Sequence, residues 1–369
     1  QISKSETNSR QPTSSPRIMF ELITPIIGTS KVESVQIETG NISITRNQTN
    51  QHRIIGISKI KIVEPTAIEE ILSQLGVSIN RATMKYHIHT LGCQMNNADS
   101  LRLASGLEEL GATSTENIAE ADIAVLNTCV VRQSAEDRAY GWLNRVGALK
   151  RDARPDLTVG LMGCLVGVKG NKKITNTFPD IDVFLPPSDP EPLLNLLEHQ
   201  QHIQKSETDV VSRRHALQDG ELILPAADCG TTFISYVPVV YGCSHASTFC
   251  IIPFRRGVER SRPVDQIVAE CRSLAGQGVK EITLLGQIVD RYGYDLPGHY
   301  NLAMLLERVH ETPGLERIRF LTSHPNYLDD DLLRTVAEMP KICDHIEVPV
   351  QSGSNEVLEN MRRGYTVEQ

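Results

Sequence analysis

Residues 86–93 read Tyr-His-Ile-His-Thr-Leu-Gly-Cys, and two later stretches repeat the pattern: Ile-Ala-Val-Leu-Asn-Thr-Cys over 123–129 and Thr-Val-Gly-Leu-Met-Gly-Cys over 158–164. Each is a short apolar or β-branched run that closes on a turn and then a cysteine. Helical patterns follow the first two runs, around Ala98–Leu110 with Gly111 as the stop, and around Ser134–Leu149. Val183–Leu185 reads as a fourth strand, ahead of a helix from Pro190 to about Glu198. Strands and helices in alternation predict a parallel sheet flanked by helices. Cys93, Cys129 and Cys164 then share one structural position, just past the C-terminal end of a strand and about 35 residues apart, the length of a βα unit. The crevice outside strand C-termini is where open parallel sheets bind ligands. Three thiols delivered to one rim read as ligands of a metal cluster rather than as three unrelated buried cysteines.

The whole chain sets limits on this reading. Its 369 residues suffice for two or three domains with real cores, and 40% hydrophobic with 22% charged residues is ordinary for globular protein. No apolar run reaches membrane-spanning length and no secretory signal is evident, so a cytoplasmic location is expected. The net charge of −8 excludes a generically basic nucleic-acid binder and leaves only local basic patches for such contacts. All eight cysteines lie after residue 92, and spaced cysteines in a cytosolic chain point to metal or redox chemistry. Cys271 and Cys343 read as small buried hydrophobes.

Residues 1–83 have a different texture: no cysteine, much Ser, Thr, Asn and Gln, short β-branched runs such as Ile54–Ile57, and one candidate helix at Thr66–Leu75. An unassigned, poorly ordered extension is expected there, with Met84 as a natural start. Residues 84–198 form the first α/β domain, and the polar stretch 199–230 reads as a linker. A second series follows over 231–369. Its predicted strands are Phe233–Val240, Glu281–Leu285, Arg317–Leu321 and His345–Val350; its predicted helices are Pro263–Gln277, Leu302–Glu311, Leu328–Glu338 and Asn355–Arg363. Four such units make part of a (β/α) barrel, incomplete at its C-terminus, with chemistry expected at the C-terminal rim.

On that rim lies the loop 242–257, Gly-Cys-Ser-His-Ala-Ser-Thr-Phe-Cys-Ile-Ile-Pro-Phe-Arg-Arg-Gly. Cys243 and Cys250 occupy the outer positions of a C-x3-C-x2-C triad, and Ser247 occupies the middle one. Three thiolates on one loop hold three irons of a 4Fe–4S cube and leave the fourth open; a hydroxyl is a poor substitute for the soft sulfur that iron in such clusters prefers. Arg255, Arg256, Arg260 and Arg262 form the densest basic stretch of the chain and suit phosphate or carboxylate partners. His245 and His324 are weaker candidates, as lone histidines.

Several motifs together resemble the radical S-adenosylmethionine methylthiotransferases. Leu91-Gly92-Cys93-Gln94-Met95-Asn96, Asn127-Thr128-Cys129 and Gly163-Cys164 are similar to the family's amino-terminal domain. Tyr241–Gly257, Arg260-Ser261-Arg262-Pro263, Leu285-Gly286-Gln287, Thr322-Ser323-His324-Pro325 and Gln351-Ser352-Gly353-Ser354 are similar to its catalytic domain. The Gln-Met-Asn after Cys93 favours the tRNA-modifying branch over the ribosomal-protein branch, which stays the enzymatic alternative; a non-catalytic iron–sulfur or RNA-binding relative is the other. The resemblance covers residues 84–369.

It implies an α/β fold with an open parallel-sheet amino-terminal domain and a radical-SAM barrel. It implies two 4Fe–4S clusters, one on Cys93, Cys129 and Cys164, the other on Cys243, Cys250 and the degenerate position Ser247. It implies S-adenosylmethionine bound near Phe249, Gly286, Gln287, Gln351 and Ser352. The implied reaction is radical methylthiolation at C2 of an isopentenylated adenosine beside the anticodon of tRNA. An electron donor would serve as partner to a monomer. Four departures from the family pattern stand out: Ser247, the pair Ile288 and Asp290 where asparagines are usual, residues 1–83 with no counterpart in the family, and a barrel that ends before its last units and before the RNA-binding domain.

Overall fold

The computed structural model describes residues 84–200, 214–215 and 217–369, together with three earlier strands. It divides into two compact units, residues 1–82 and 83–369. In the first unit, β1 (Val32–Glu38), β2 (Asn41–Arg46) and β3 (Arg53–Ser58) pair as an antiparallel sheet in the order β1-β2-β3. The irregular extension expected over residues 1–83 therefore contains regular structure, and Ile54–Ile57 belongs to β3. The helix expected at Thr66–Leu75 lies outside the described residues.

The second unit opens with a five-stranded parallel sheet. Its elements are β4 (Lys85–Thr90), α1 (Gln94–Glu109), β5 (Thr113–Ser114), β6 (Ile123–Thr128), α2 (Gln133–Asp152), β7 (Thr158–Gly163), α3 (Lys172–Thr177), β8 (Val183–Leu185) and α4 (Glu191–Gln200). The order is β5-β4-β6-β7-β8, with every pairing parallel. β6 is buried at every position because both faces of the sheet are covered, which is why its sequence is a continuous apolar run rather than an alternation. Ala124 and Leu126 face Trp142, Leu143 and Val146 of α2, while Ile123 and Val125 face Leu103 and Leu107 of α1 and Leu193 of α4.

The barrel portion follows: β9 (Ile234–Pro238), β10 (Val240–Tyr241), α5 (Ile252–Arg256), β11 (Arg260–Ser261), α6 (Val264–Gly276), β12 (Glu281–Leu285), α7 (Leu302–His310), β13 (Arg317–Phe320), α8 (Asp330–Glu338) and α9 (Asn355–Asn360). Parallel strands β9, β12 and β13 pair in the order β13-β12-β9. The strand expected over His345–Val350 is not formed. That segment is tied to its neighbours by Cys343 N to Ile318 O and by Ser323 N to Glu347 O, both 3.0 Å, but Pro349 lacks a donor and no ladder develops.

The expected linker is also different in its second half. Leu222 and Leu224 are buried in the barrel core, and the carbonyls of Leu217 and Gly220 accept hydrogen bonds from Arg102 of α1. This strap lies along a junction made by α1 itself. Met95 and Ala98 pack on Leu285 and Tyr236 of the barrel strands. Farther along α1, Arg102 Nη2 meets both oxygens of Glu270 on α6 at 2.6 and 2.7 Å, and Arg262 Nη1 lies 2.6 Å from the same carboxylate. All three groups are buried; among the described residues Arg102 has Glu270 alone as its ion-pair partner, whereas Arg262 also has Asp219 at 3.7 Å. Glu270→Gln should therefore lower the stability of the unit by about 3–5 kcal/mol, the usual result of leaving a buried charge unpaired. Urea unfolding of the full chain measures this; an unchanged midpoint would show that the Arg–Glu–Arg group does not hold the two halves together.

Candidate active site at the facing rims

Each of the three strand-end cysteines is placed by a tight turn. Cys93 is the N-cap residue of α1, and its Sγ lies 3.4 Å from Asn96 Oδ1. Cys129 follows β6, and its Sγ accepts the N–H of Val131 at 3.5 Å. Cys164 follows β7 and is buried, with its N–H bonded to Thr128 O at 3.0 Å. Two glycines make this close approach possible. Gly92 has φ +147°, and a side chain there would press on Asn96 and on Cβ of Cys129, 3.1 Å away. Gly163 has φ +98°, and a Cβ would lie 2.6 Å from the backbone oxygen of Thr128.

A buried amide pair ties these turns together. Asn96 Nδ2 donates to Asn127 Oδ1 at 2.8 Å and to Thr128 O at 2.9 Å, and Asn127 Nδ2 returns a bond to Asn96 O at 2.9 Å. The rim thus collects Cys93, Cys129 and Cys164 as the spacing of the βα units predicts. Burial pushes the Cys164 thiol up; Arg256 opposes this, and the neighbouring Cys129 and Cys93 add to the rise. Among the described residues, no three His, Cys, Asp or Glu side chains close around a single-ion position. The donor set at this rim is all-thiol, the chemistry that suits iron in a cluster.

The second group of cysteines sits on the loop between β10 and β11, which pair as Val240 with Ser261 and Tyr241 with Arg260. Gly242 at φ +66° lets the loop close: a Cβ there would lie 2.1 Å from Val258 O. Cys243 N donates to Gly257 O at 3.0 Å, Cys250 N donates to Ser247 O at 3.2 Å, and Thr248 is anchored to Asn360 and Met361 at the end of α9. A cavity of about 150 Å³ opens beside the loop, and Cys243, Ser247, Phe249, Cys250, Gln287 and Gln351 all line it. Gly286 and Ser352 are not among its lining residues. The Gly286 carbonyl is turned to Thr322 Oγ1 (2.8 Å), and Ser352 Oγ accepts from Ser354 N (3.1 Å) at the entry to α9.

The sequence reading misses Arg363 of this cavity and ranks His245 and His324, which also line it, as weaker candidates. Arg363 is buried, has no carboxylate within ion-pair distance among the described residues, and donates Nη1 to Ser247 Oγ at 3.1 Å. The hydroxyl also meets His245 Nδ1 at 3.4 Å. His324, weak as a candidate from sequence, is buried within the cluster of His245, Tyr327 and Tyr365 rings. Asp290 explains its placement: the carboxylate accepts Ser323 Oγ at 2.8 Å and His324 N at 2.6 Å. The departure at position 290 is thus absorbed into the wall of the site.

The basic stretch is likewise committed to protein rather than left as a free patch. Arg256 pairs with Asp99, Arg260 with Asp219, and Arg262 with Glu270. A signal for the Arg256 contact exists in the sequence: Asn96 and Asp99 lie three residues apart in a helical segment, which places them on one face.

Comparison with known proteins agrees with this geometry. Residues 85–186 match the model of "Uncharacterized protein family UPF0004", and residues 237–369 match that of the Radical SAM superfamily. The chain is 43% identical over 284 residues to the tRNA-2-methylthio-N(6)-dimethylallyladenosine synthase of Herpetosiphon aurantiacus, 45% over 285 residues to that of Roseiflexus sp., and 43% over 284 residues to that of Chloroflexus aurantiacus. Each alignment takes in 77% of this chain and 61%, 56% and 58% of the respective relative. Over the matched residues the chain is similar to the radical S-adenosylmethionine methylthiotransferases. It spans less than two thirds of the length of these curated relatives. The fold is also similar to the radical S-adenosylmethionine methyltransferase TsrM of Kitasatospora setae, at TM-score 0.52 and 12% identity over 77% of this chain and 64% of that one.

The two cysteine groups fit an iron–sulfur cluster unequally. The strand-end rim supplies three thiols. The loop supplies two, and its third position is a hydroxyl already accepting from a guanidinium, so the loop does not meet the requirement of a three-thiolate cluster.

Burial also shapes the titration of the cavity wall. It lowers the His324 imidazole from 6.5 to about 4 and raises the Asp290 carboxyl from 3.8 to about 6. Between pH 4 and 6, the unfolded chain binds the His324 proton while the folded chain binds the Asp290 proton, and the two linkages cancel. Asp290→Asn removes the second alone. Stability should then fall more steeply on acidification from pH 6 to 4, by up to about 1.4 kcal/mol per pH unit for one proton. Urea midpoints of both proteins across that range give the slopes, and parallel curves would contradict the assignment.

Proposed function

We propose that this chain is a tRNA methylthiotransferase of the radical S-adenosylmethionine type, acting at C2 of an N6-isopentenylated adenosine next to the anticodon, and impaired as it stands by Ser247. The observation that carries this reading is the pair of cysteine groups on adjoining rims: three strand-end thiols on one sheet, and the Cys243–Cys250 loop at the C-terminal ends of the barrel strands. Relatives of 43–45% identity named tRNA-2-methylthio-N(6)-dimethylallyladenosine synthase support the substrate class. Chemistry at an unactivated ring carbon needs what the family's cofactors supply when bound, namely reductive cleavage of S-adenosylmethionine and a sulfur-bearing iron–sulfur cluster.

The chain's own residues have definable tasks. Cys93, Cys129 and Cys164 hold the sulfur-bearing cluster. Phe249, Gln287 and Gln351 shape the cavity that receives S-adenosylmethionine, and Phe249, 54% exposed, offers a ring face at its edge. Gln351 and Thr322, both lining this cavity, have φ of +66° and +68°, so the wall is held in a backbone conformation that non-glycine residues rarely adopt. Residues of this kind fix geometry before a ligand arrives. His324, kept neutral by burial, adds no positive charge beside Arg363. A separate electron donor, a cytoplasmic setting and a monomeric state complete the proposal.

Anaerobic reconstitution with iron counting tests it. The chain should take up about four irons, from the strand-end rim alone, on the stoichiometry of a 4Fe–4S cluster. Ser247→Cys should approach about eight, with S-adenosylmethionine cleavage and a methylthio mass increment appearing on tRNA. Two clusters without the substitution would refute the impairment. Iron binding without cleavage in Ser247→Cys would favour a non-catalytic relative, and modification of a ribosomal protein in place of tRNA would assign the other branch.

A further inference from the structure

Arg256 is the last residue of α5, the helical turn that begins two residues after Cys250, yet its side chain ends in the other half of the unit. The guanidinium is buried. Nη2 donates to Asn96 Oδ1 and to Asp99 Oδ2, both at 3.2 Å, and Nη1 donates to Ser188 Oγ at 3.3 Å. Asn96 is the residue whose Oδ1 also faces Cys93 Sγ, at 3.4 Å. Ser188 in turn donates to Asp99 Oδ1 at 2.6 Å, from a left-handed backbone position at φ +59°. One residue back, the Arg255 carbonyl accepts the N–H of Val168 at 3.0 Å, four residues beyond Cys164. The chain segment that leaves the Cys243–Cys250 loop is therefore stitched to the Cys93 turn through Asn96 and to the Cys164 turn through Val168.

The electrostatics point the same way. Asp99 lies within ion-pair distance of the buried guanidinium, and Asn96 links the same guanidinium to the Cys93 turn. A buried cation with one carboxylate at ion-pair distance among the described residues is placed where three thiolates would concentrate negative charge. Hydrogen bonds and charges around a cluster set its affinity and its potential.

We propose that Arg256 is a positioning residue for the iron–sulfur cluster of the strand-end rim: its guanidinium sets the charge beside Cys164 and Cys93, and its bonds lock that rim to the Cys243–Cys250 loop, with Asp99 as the opposing charge. This rests on the reading that Cys93, Cys129 and Cys164 hold a cluster. The charge argument gives a sign. Removing the cation makes an added electron less welcome and lowers the reduction potential; removing the Asp99 carboxylate leaves the cation unopposed and raises it.

The test uses the full chain carrying Cys243→Ala and Cys250→Ala, so that only the strand-end cluster contributes to the signal. Midpoint potential, electron paramagnetic resonance of the reduced form and the rate of iron release to a chelator are measured in this background and with Arg256→Met, Arg256→Lys or Asp99→Asn added. Arg256→Met should lower the potential and speed iron release by about tenfold. Asp99→Asn should raise the potential, and Arg256→Lys should stay near the background. A merely structural role moves both charge variants in one direction; shifts of the same sign, or none, overturn the proposal while leaving the cluster reading intact. No iron uptake by the background overturns both. If Arg256→Met does not fold by circular dichroism, Asp99→Asn against Arg256→Lys decides, and failure of the potential to rise in Asp99→Asn refutes the inference.

Discussion

The polar face of helix α1 is the constraint on which the rest of the second unit depends. Asn96, Asp99 and Arg102 are 0%, 1% and 4% exposed, so each had to surrender its water for partners supplied by other parts of the chain. Those partners are Asn127 and Thr128 of the sheet for Asn96, Arg256 of the barrel loop for Asp99, and Glu270 of α6 for Arg102. Apolar packing alone would let a helix slide or rotate in its groove with modest loss. Directional bonds to buried charges permit one setting, because any other strands a donor or an acceptor. The same helix begins at Cys93, so the register that satisfies the stripe also fixes a thiol of the strand-end rim.

Much of this architecture was legible in the chain. The three strand-plus-cysteine repeats gave the parallel sheet and placed Cys93, Cys129 and Cys164 on one rim, because a strand buried on both faces writes itself as an unbroken apolar run. Phe249, Gln287 and Gln351 stood in recognisable motifs and do line the cavity of the Cys243–Cys250 loop. What sequence could not convey was pairing across distance. Asp99 and Arg256 are 157 residues apart and Arg102 and Glu270 168 apart, and each looks locally like an ordinary surface charge. The basic run Arg255–Arg262 suited phosphate or carboxylate partners, and its sequence did not say which carboxylates of the chain would take Arg256, Arg260 and Arg262. The segment His345–Val350 misled in the opposite sense: its β-branched residues favour a strand, but a strand needs a partner ladder, and that is a property of the surroundings.

Ser247 and Arg363 show how one substitution can alter the balance of a site without disturbing its shape. The serine keeps the loop's turn, with Cys250 N still bonded to its carbonyl, and its hydroxyl finds two partners. The buried guanidinium beside it, however, faces a neutral oxygen. A cation withdrawn from water and met by no carboxylate among the described residues is a standing attraction for negative charge. The local fold is thus compatible with a thiolate at position 247.

The strap over residues 217–224 has an evolutionary consequence. Its carbonyls cap Arg102, and its leucines fill the barrel core, so the peptide between the two halves is a component of both. A connection of that kind resists shuffling: a recombination event that joined this sheet to another barrel would leave Arg102 uncapped and a hole where Leu222 and Leu224 had been. The two halves therefore behave as one structural piece, and a cut between them would break buried contacts on both sides.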